Sequence, residues 1–145
     1  MFSPTNIVAT GGIQVFQIDS VAKKATAIGG SSNGALWGDA SNDLFINLGA
    51  NVQQYTGSPT WANLSTGLNG VVNALSGTAS NRLFVAGQTY TTTANLGTVL
   101  FWNGVGWTVQ SLPAATATLY GIYASPLPQG RVFAVGSNGT IVTGP

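Results

Sequence analysis

The chain reads as all-β, assembled from a repeated antiparallel unit, and three observations predict this. First, no window places apolar residues at i, i+3, i+4 and i+7 over three turns, so helical periodicity is missing. Second, a Gly, a Gly-Asn or a Ser-Pro pair interrupts the chain nearly every ten residues, which leaves room for short strands only. Third, the stretch Leu36 to Leu64 recurs twice. Aligned on Leu44-Phe45-Ile46, the second copy carries Leu83-Phe84-Val85, 39 residues on, and the third carries Val132-Phe133-Ala134, a further 49 residues on.

The elements follow in order. The first unit, 1–32, is degenerate: Asn6–Ala9, Ile13–Phe16 and Ala25–Ile28 match the second, third and fourth strands of a full copy, and the first strand is missing. The second unit, 33–69, has four extended pieces, Ala35–Gly38, Asp43–Leu48, Asn51–Thr56 and Trp61–Ser65. Turn formers separate them: Asp39-Ala40-Ser41-Asn42, Leu48-Gly49-Ala50-Asn51 and Gly57-Ser58-Pro59. The third unit, 70–116, starts its copy at Leu75 and repeats the pattern with Arg82–Ala86, Thr98–Asn103 and a last strand opened by Trp107. A long Thr-rich loop, Gly87 to Gly97, is expected to decorate its second turn. The fourth unit, 117–145, begins near Ile122, continues through Arg131–Gly136 and stops after Gly139-Thr140-Ile141-Val142. The count is three strands, then four, four and three.

A tandem unit of about 40 residues with four short strands, none able to bury both faces alone, is the signature of stacked blades. The aromatic positions agree: Tyr55 and Trp102 close the third strand, a turn follows at Gly57 and Gly104, and Trp61 and Trp107 open the fourth. Rings at equivalent sites in successive units suit the layer between blades. Phe45, Phe84 and Phe133 share one position in the second strand and are expected to be buried alike.

These copies resemble the bacterial and phage β-propeller repeat with the consensus W-G-x-S-x-x-D-V-F-A-V-G-x-x-G-T-I-L-H-Y-D-G-x-x-W. The resemblance rests on Leu36-Trp37-Gly38, Ser41 to Phe45, Phe133 to Ile141 and Gly97 to Gly104, and it covers about three quarters of the chain. The consensus Trp is Ser76 in the second copy and Tyr123 in the third, and the consensus Asp is Arg82 and Arg131. The resemblance implies a β-propeller-like scaffold of about four short antiparallel blades. It implies no activity, because fold does not carry function.

Composition narrows the function. Charged residues are 5 % of the 145 and the net charge is +1, so repulsion between copies is weak and association is favoured. There is no Lys/Arg cluster to neutralise phosphates, which argues against nucleic acid as a partner. No apolar run is long enough for a membrane helix, and the N-terminus does not read as a signal peptide. Without His, Cys or Glu, no Ser has an evident base, so no enzymatic activity is expected. No cofactor or metal site is expected either. Asp39 and Asp43 are close in sequence but read as residues of the first turn that cap backbone amides, and the other copies carry Thr78, Arg82, Ser125 and Arg131 instead.

Two function classes remain. The first is a structural or interaction module in a homo-oligomeric assembly such as a virion surface, tail fibre or cell-surface appendage; the second is a carbohydrate-binding propeller using its Trp and Tyr rings. Tyr90, with Thr91 and Thr92, lies in the inserted loop at no repeated position and is the candidate contact to a ligand or subunit. The incomplete end units are expected to leave unpaired β edges. These would be resolved by closure within the chain, with the Ile7 segment against the blade of Phe133, or by a neighbouring subunit.

Overall fold

Short β-branched and aromatic runs punctuated by Gly and Asn fold into fourteen strands in a computed structural model that describes residues 6–11, 14–30, 34–40, 42–57, 60–126, 128 and 130–144. Strands take 63 % of these residues, and among them there is no α-helix, only a 3-10 turn at Ser137–Gly139. The strands form four antiparallel sheets of three, four, four and three. The first sheet comprises β1 (Asn6–Gly11), β2 (Gln14–Asp19) and β3 (Lys24–Gly29). The second comprises β4 (Leu36–Ala40), β5 (Asp43–Leu48), β6 (Asn51–Tyr55) and β7 (Ala62–Leu64). The third comprises β8 (Gly70–Ala79), β9 (Arg82–Tyr90), β10 (Asn95–Trp102) and β11 (Trp107–Val109). The fourth comprises β12 (Leu119–Ala124), β13 (Val132–Gly136) and β14 (Ile141–Gly144). Ile13, Ser41, Ser58 and Pro59, expected in a strand or in turns, lie outside the described residues.

Each sheet is a meander in chain order, because connections of two to seven residues can only join neighbours. The turns after the third strands need positive φ, met by Gly57 (φ 85) and Gly104 (φ 92). In the latter turn Asn103 Oδ1 accepts from the amides of Val105 and Gly106, both at 2.9 Å.

The pairings put equivalent residues of the copies in register. Trp37 faces Phe45, Ser76 faces Phe84 and Tyr123 faces Phe133. On the other parity Ile7 pairs with Ile18, Leu44 with Tyr55 and Leu83 with Trp102. Among the described residues, the first sheet therefore lacks the first strand of the pattern and the fourth sheet lacks the last.

One expected feature is corrected. Gly87 to Gly97 is no loop: β9 and β10 run on through it, with Gly87 opposite Thr98 and Tyr90 opposite Asn95, and only Thr91 to Ala94 turn. Thr is a strand former, and the two glycines that looked like breakers sit where backbones meet. A Cβ on Gly87 would collide with the Val71 carbonyl, and one on Gly97 with that of Ala117.

The core lies between sheets. Phe45 and Val52 of the second sheet pack with Val72, Leu75, Leu83, Val85, Leu100 and Trp102 of the third. Phe84, Ala86 and Val99 of the third pack in turn with Leu119, Ala124, Val132 and Ala134 of the fourth. The second and third sheets thus each turn a front face, the parity of the repeated Phe position, towards the sheet that follows. Polar contacts fix these seams: Asn47 Nδ2 donates to the Val72 carbonyl (2.7 Å), the Ser80 amide to Asp39 Oδ2 (2.9 Å), and the Ala124 amide to Ser76 Oγ (3.0 Å). The first sheet meets the second where Trp61 Nε1 donates to the Ile28 carbonyl at 2.8 Å, next to Gly30 and the buried Val15.

Candidate assembly interface

The second strand of the unit is apolar at successive positions, as suits a strand covered on both faces. In β5, Leu44 to Asn47 are all buried, and in β9 so are Leu83 to Gly87. In β13 the same kind of sequence, Val-Phe-Ala-Val, alternates between buried and exposed. Val132 and Ala134 are covered by the third sheet; Phe133 and Val135 are not. Relative exposure is 0 % for Phe45, 6 % for Phe84 and 38 % for Phe133. The expectation that the three behave alike therefore fails at Phe133, although the register is the expected one: none of the described sheets lies over it.

The same break runs across the fourth sheet. Val52, Val99 and Ile141 hold one position of the third strand and are 0 %, 5 % and 69 % exposed. At the first strand, Asn73 occupies a bulge in β8 and donates Nδ2 to the Leu119 carbonyl of the next sheet at 2.7 Å. Tyr120 occupies the corresponding bulge in β12 and stands exposed. Tyr120, Tyr123, Phe133, Val135 and Ile141 thus form a contiguous exposed apolar face, a kind of surface that marks an interaction site.

A second unmatched face lies at the other end of the chain. By register, Ile7, Ala9, Phe16 and Ile18 of the first sheet stand where Leu83, Val85, Leu100 and Trp102 of the third sheet pack against the second. None of the four is buried, and Ile7 is 49 % exposed. Phe133 and Ile7 are both open, and no closed sheet is found among the described residues.

The residues singled out from sequence sit elsewhere. Tyr90 is 42 % exposed at the tip of the β9–β10 hairpin, tied at its backbone to Asn69, whose carbonyl accepts from the Tyr90 amide at 2.7 Å. Thr91 is engaged by its own turn: Oγ1 donates to the Ala94 carbonyl (2.6 Å) and accepts from the Ala94 amide (3.0 Å). Thr92 is exposed beside it. Asp39 and Asp43 lie at the ends of β4 and β5 rather than between them. Asp39 receives the Ser80 amide and Asp43 Oδ1 receives Gln54 Nε2 at 3.0 Å, so each carboxylate serves the scaffold.

The Trp residues divide between core and groove. Tyr55 stacks with Trp61 and Trp102 with Trp107, each at 5.2 Å between ring centroids, and Tyr55 and Trp102 are buried. An open groove of about 430 Å³ runs beside Trp107, with Asn63, Ser65, Thr66 and Trp102 in its walls. Trp107 Nε1 is buried without an acceptor, whereas Trp61 at the same position of the preceding copy has Ile28. A smaller, apolar cavity of about 150 Å³, lined by Phe84, Val99, Leu112, Val132 and Val142, lies beside β14. From the sequence, Tyr120 and Tyr123 stand only among the rings that could stack on sugars, and Phe133 reads as core because it occupies a repeat position. The signal that could have found them is the truncated last unit itself. No protein-family model matches the chain, and no curated protein matches it.

Proposed function

We propose that the chain is a non-catalytic structural module that self-associates within a larger assembly, such as a virion surface, a tail fibre or a cell-surface appendage. In this reading the four sheets are the blades of a β-propeller-like stack left open at its last blade. The observation that carries it is the apolar front face of the fourth sheet, built to the pattern of the buried faces before it and left uncovered. The low charge supports it, since copies barely repel, and the lack of His, Cys and Glu leaves catalysis without its usual bases. Sedimentation velocity at micromolar concentration tests the reading: species heavier than the 14.7 kDa chain are expected, and a stable monomer at all concentrations refutes it.

The groove beside Trp107 favours a second reading, a neutral-carbohydrate site. Its amide and hydroxyls suit sugar hydroxyls, and its rings suit their apolar faces. A glycan array decides: signal lost in Trp107→Ala, with the fold verified by circular dichroism, supports it, and a blank array refutes it.

A further inference from the structure

Resting on the self-association reading, we infer that the occupant of the open face on the fourth sheet is the first sheet of a second copy, joined head to tail. The molecule makes the front-to-back junction between its second and third sheets and again between its third and fourth. At each junction the front face presents an aromatic or small residue opposite an aromatic; the receiving back face presents Leu83 with Trp102 and Val85 with Leu100 in the third sheet, and Val132 beside the pair Ala134 and Val142 in the fourth. The fourth sheet offers the first half of this arrangement in Tyr123, Phe133, Val135 and Ile141. The first sheet offers the second half in Ile7 with Ile18 and Ala9 with Phe16, at the register of Leu83 with Trp102 and Val85 with Leu100. None of these residues is charged, so bringing the faces together strands no ion. Since the two faces differ, the contact is heterologous, closing into a ring if the rotation permits and growing as a filament if it does not.

The test blocks each half separately, at positions exposed enough to leave folding intact. Ile141→Asp alters the head, Ile7→Asp the tail, and circular dichroism verifies that both fold. Each variant alone should sediment as a monomer, the association constant falling roughly 30-fold or more. Mixed in equal amounts, they should form a species of two chains and no larger, because one intact head and one intact tail remain. A tail variant that still dimerises alone shows head-to-head association and overturns the inference. A wild-type assembly that neither variant disturbs overturns it too, while leaving the self-association reading intact. A wild-type monomer overturns both.

Discussion

The third and fourth sheets carry nearly the same front face and meet opposite fates. Phe84 and Phe133 each sit opposite a first-strand residue, Ser76 or Tyr123, and Val99 and Ile141 fill the same place one strand out. In the third sheet this face is buried under the fourth; in the fourth it is open. Two copies of one local pattern are thus distinguished only by what comes next in the stack. Burial in such an array is a property of the junction and not of the strand, as expected when each unit contacts only its neighbours.

The largest effects should come from the covered side. Phe45→Ala and Phe84→Ala each remove a ring from a closed junction and should cost about 3 to 5 kcal/mol in urea denaturation. If Phe84→Ala were as mild as Phe133→Ala, the contrast between the sheets would collapse. Next, Gly87→Ala drives a Cβ into the Val71 carbonyl within the third sheet, and overpacking of that kind should cost about 1 to 3 kcal/mol or more. Gly139→Ala, a glycine with no atom within 4 Å of the added carbon, isolates the backbone cost of its positive φ as a control. Ser76→Ala removes the acceptor of the Ala124 amide across the junction and should cost about 1 kcal/mol; no loss would mean that the seam is held by packing alone. Phe133→Ala, measured where the chain is monomeric, should cost about 1 kcal/mol or less. Its penalty should grow with protein concentration as the face becomes covered. Smallest of all, Thr92→Ala in the hairpin turn should lie within about 0.5 kcal/mol of wild type. A larger loss there, or one that weakens association, would restore the hairpin tip as a contact.

Much of the architecture is legible from local chemistry. The strand count, the register on Phe45, Phe84 and Phe133 and the turns at Gly57 and Gly104 follow from alternation and turn residues alone. The hairpin of the third sheet was not legible, because Gly87 and Gly97 look like breakers until the carbonyls they approach are known. The candidate contact at Tyr90 was chosen for breaking the repeat, whereas the exposed aromatic face obeys it.

What the sequence by itself determined is which residues share a face and which strands are missing, since side-chain alternation in a strand is set by the backbone within each unit. Only the tertiary structure decided which of those faces is covered. Val-Phe-Ala-Val in β13 has the two-sided apolar pattern of β5 and β9, and its composition is the same whether or not a sheet follows. The free energy of burial depends on removing water from both partners, and none of the described sheets covers the front face of the fourth.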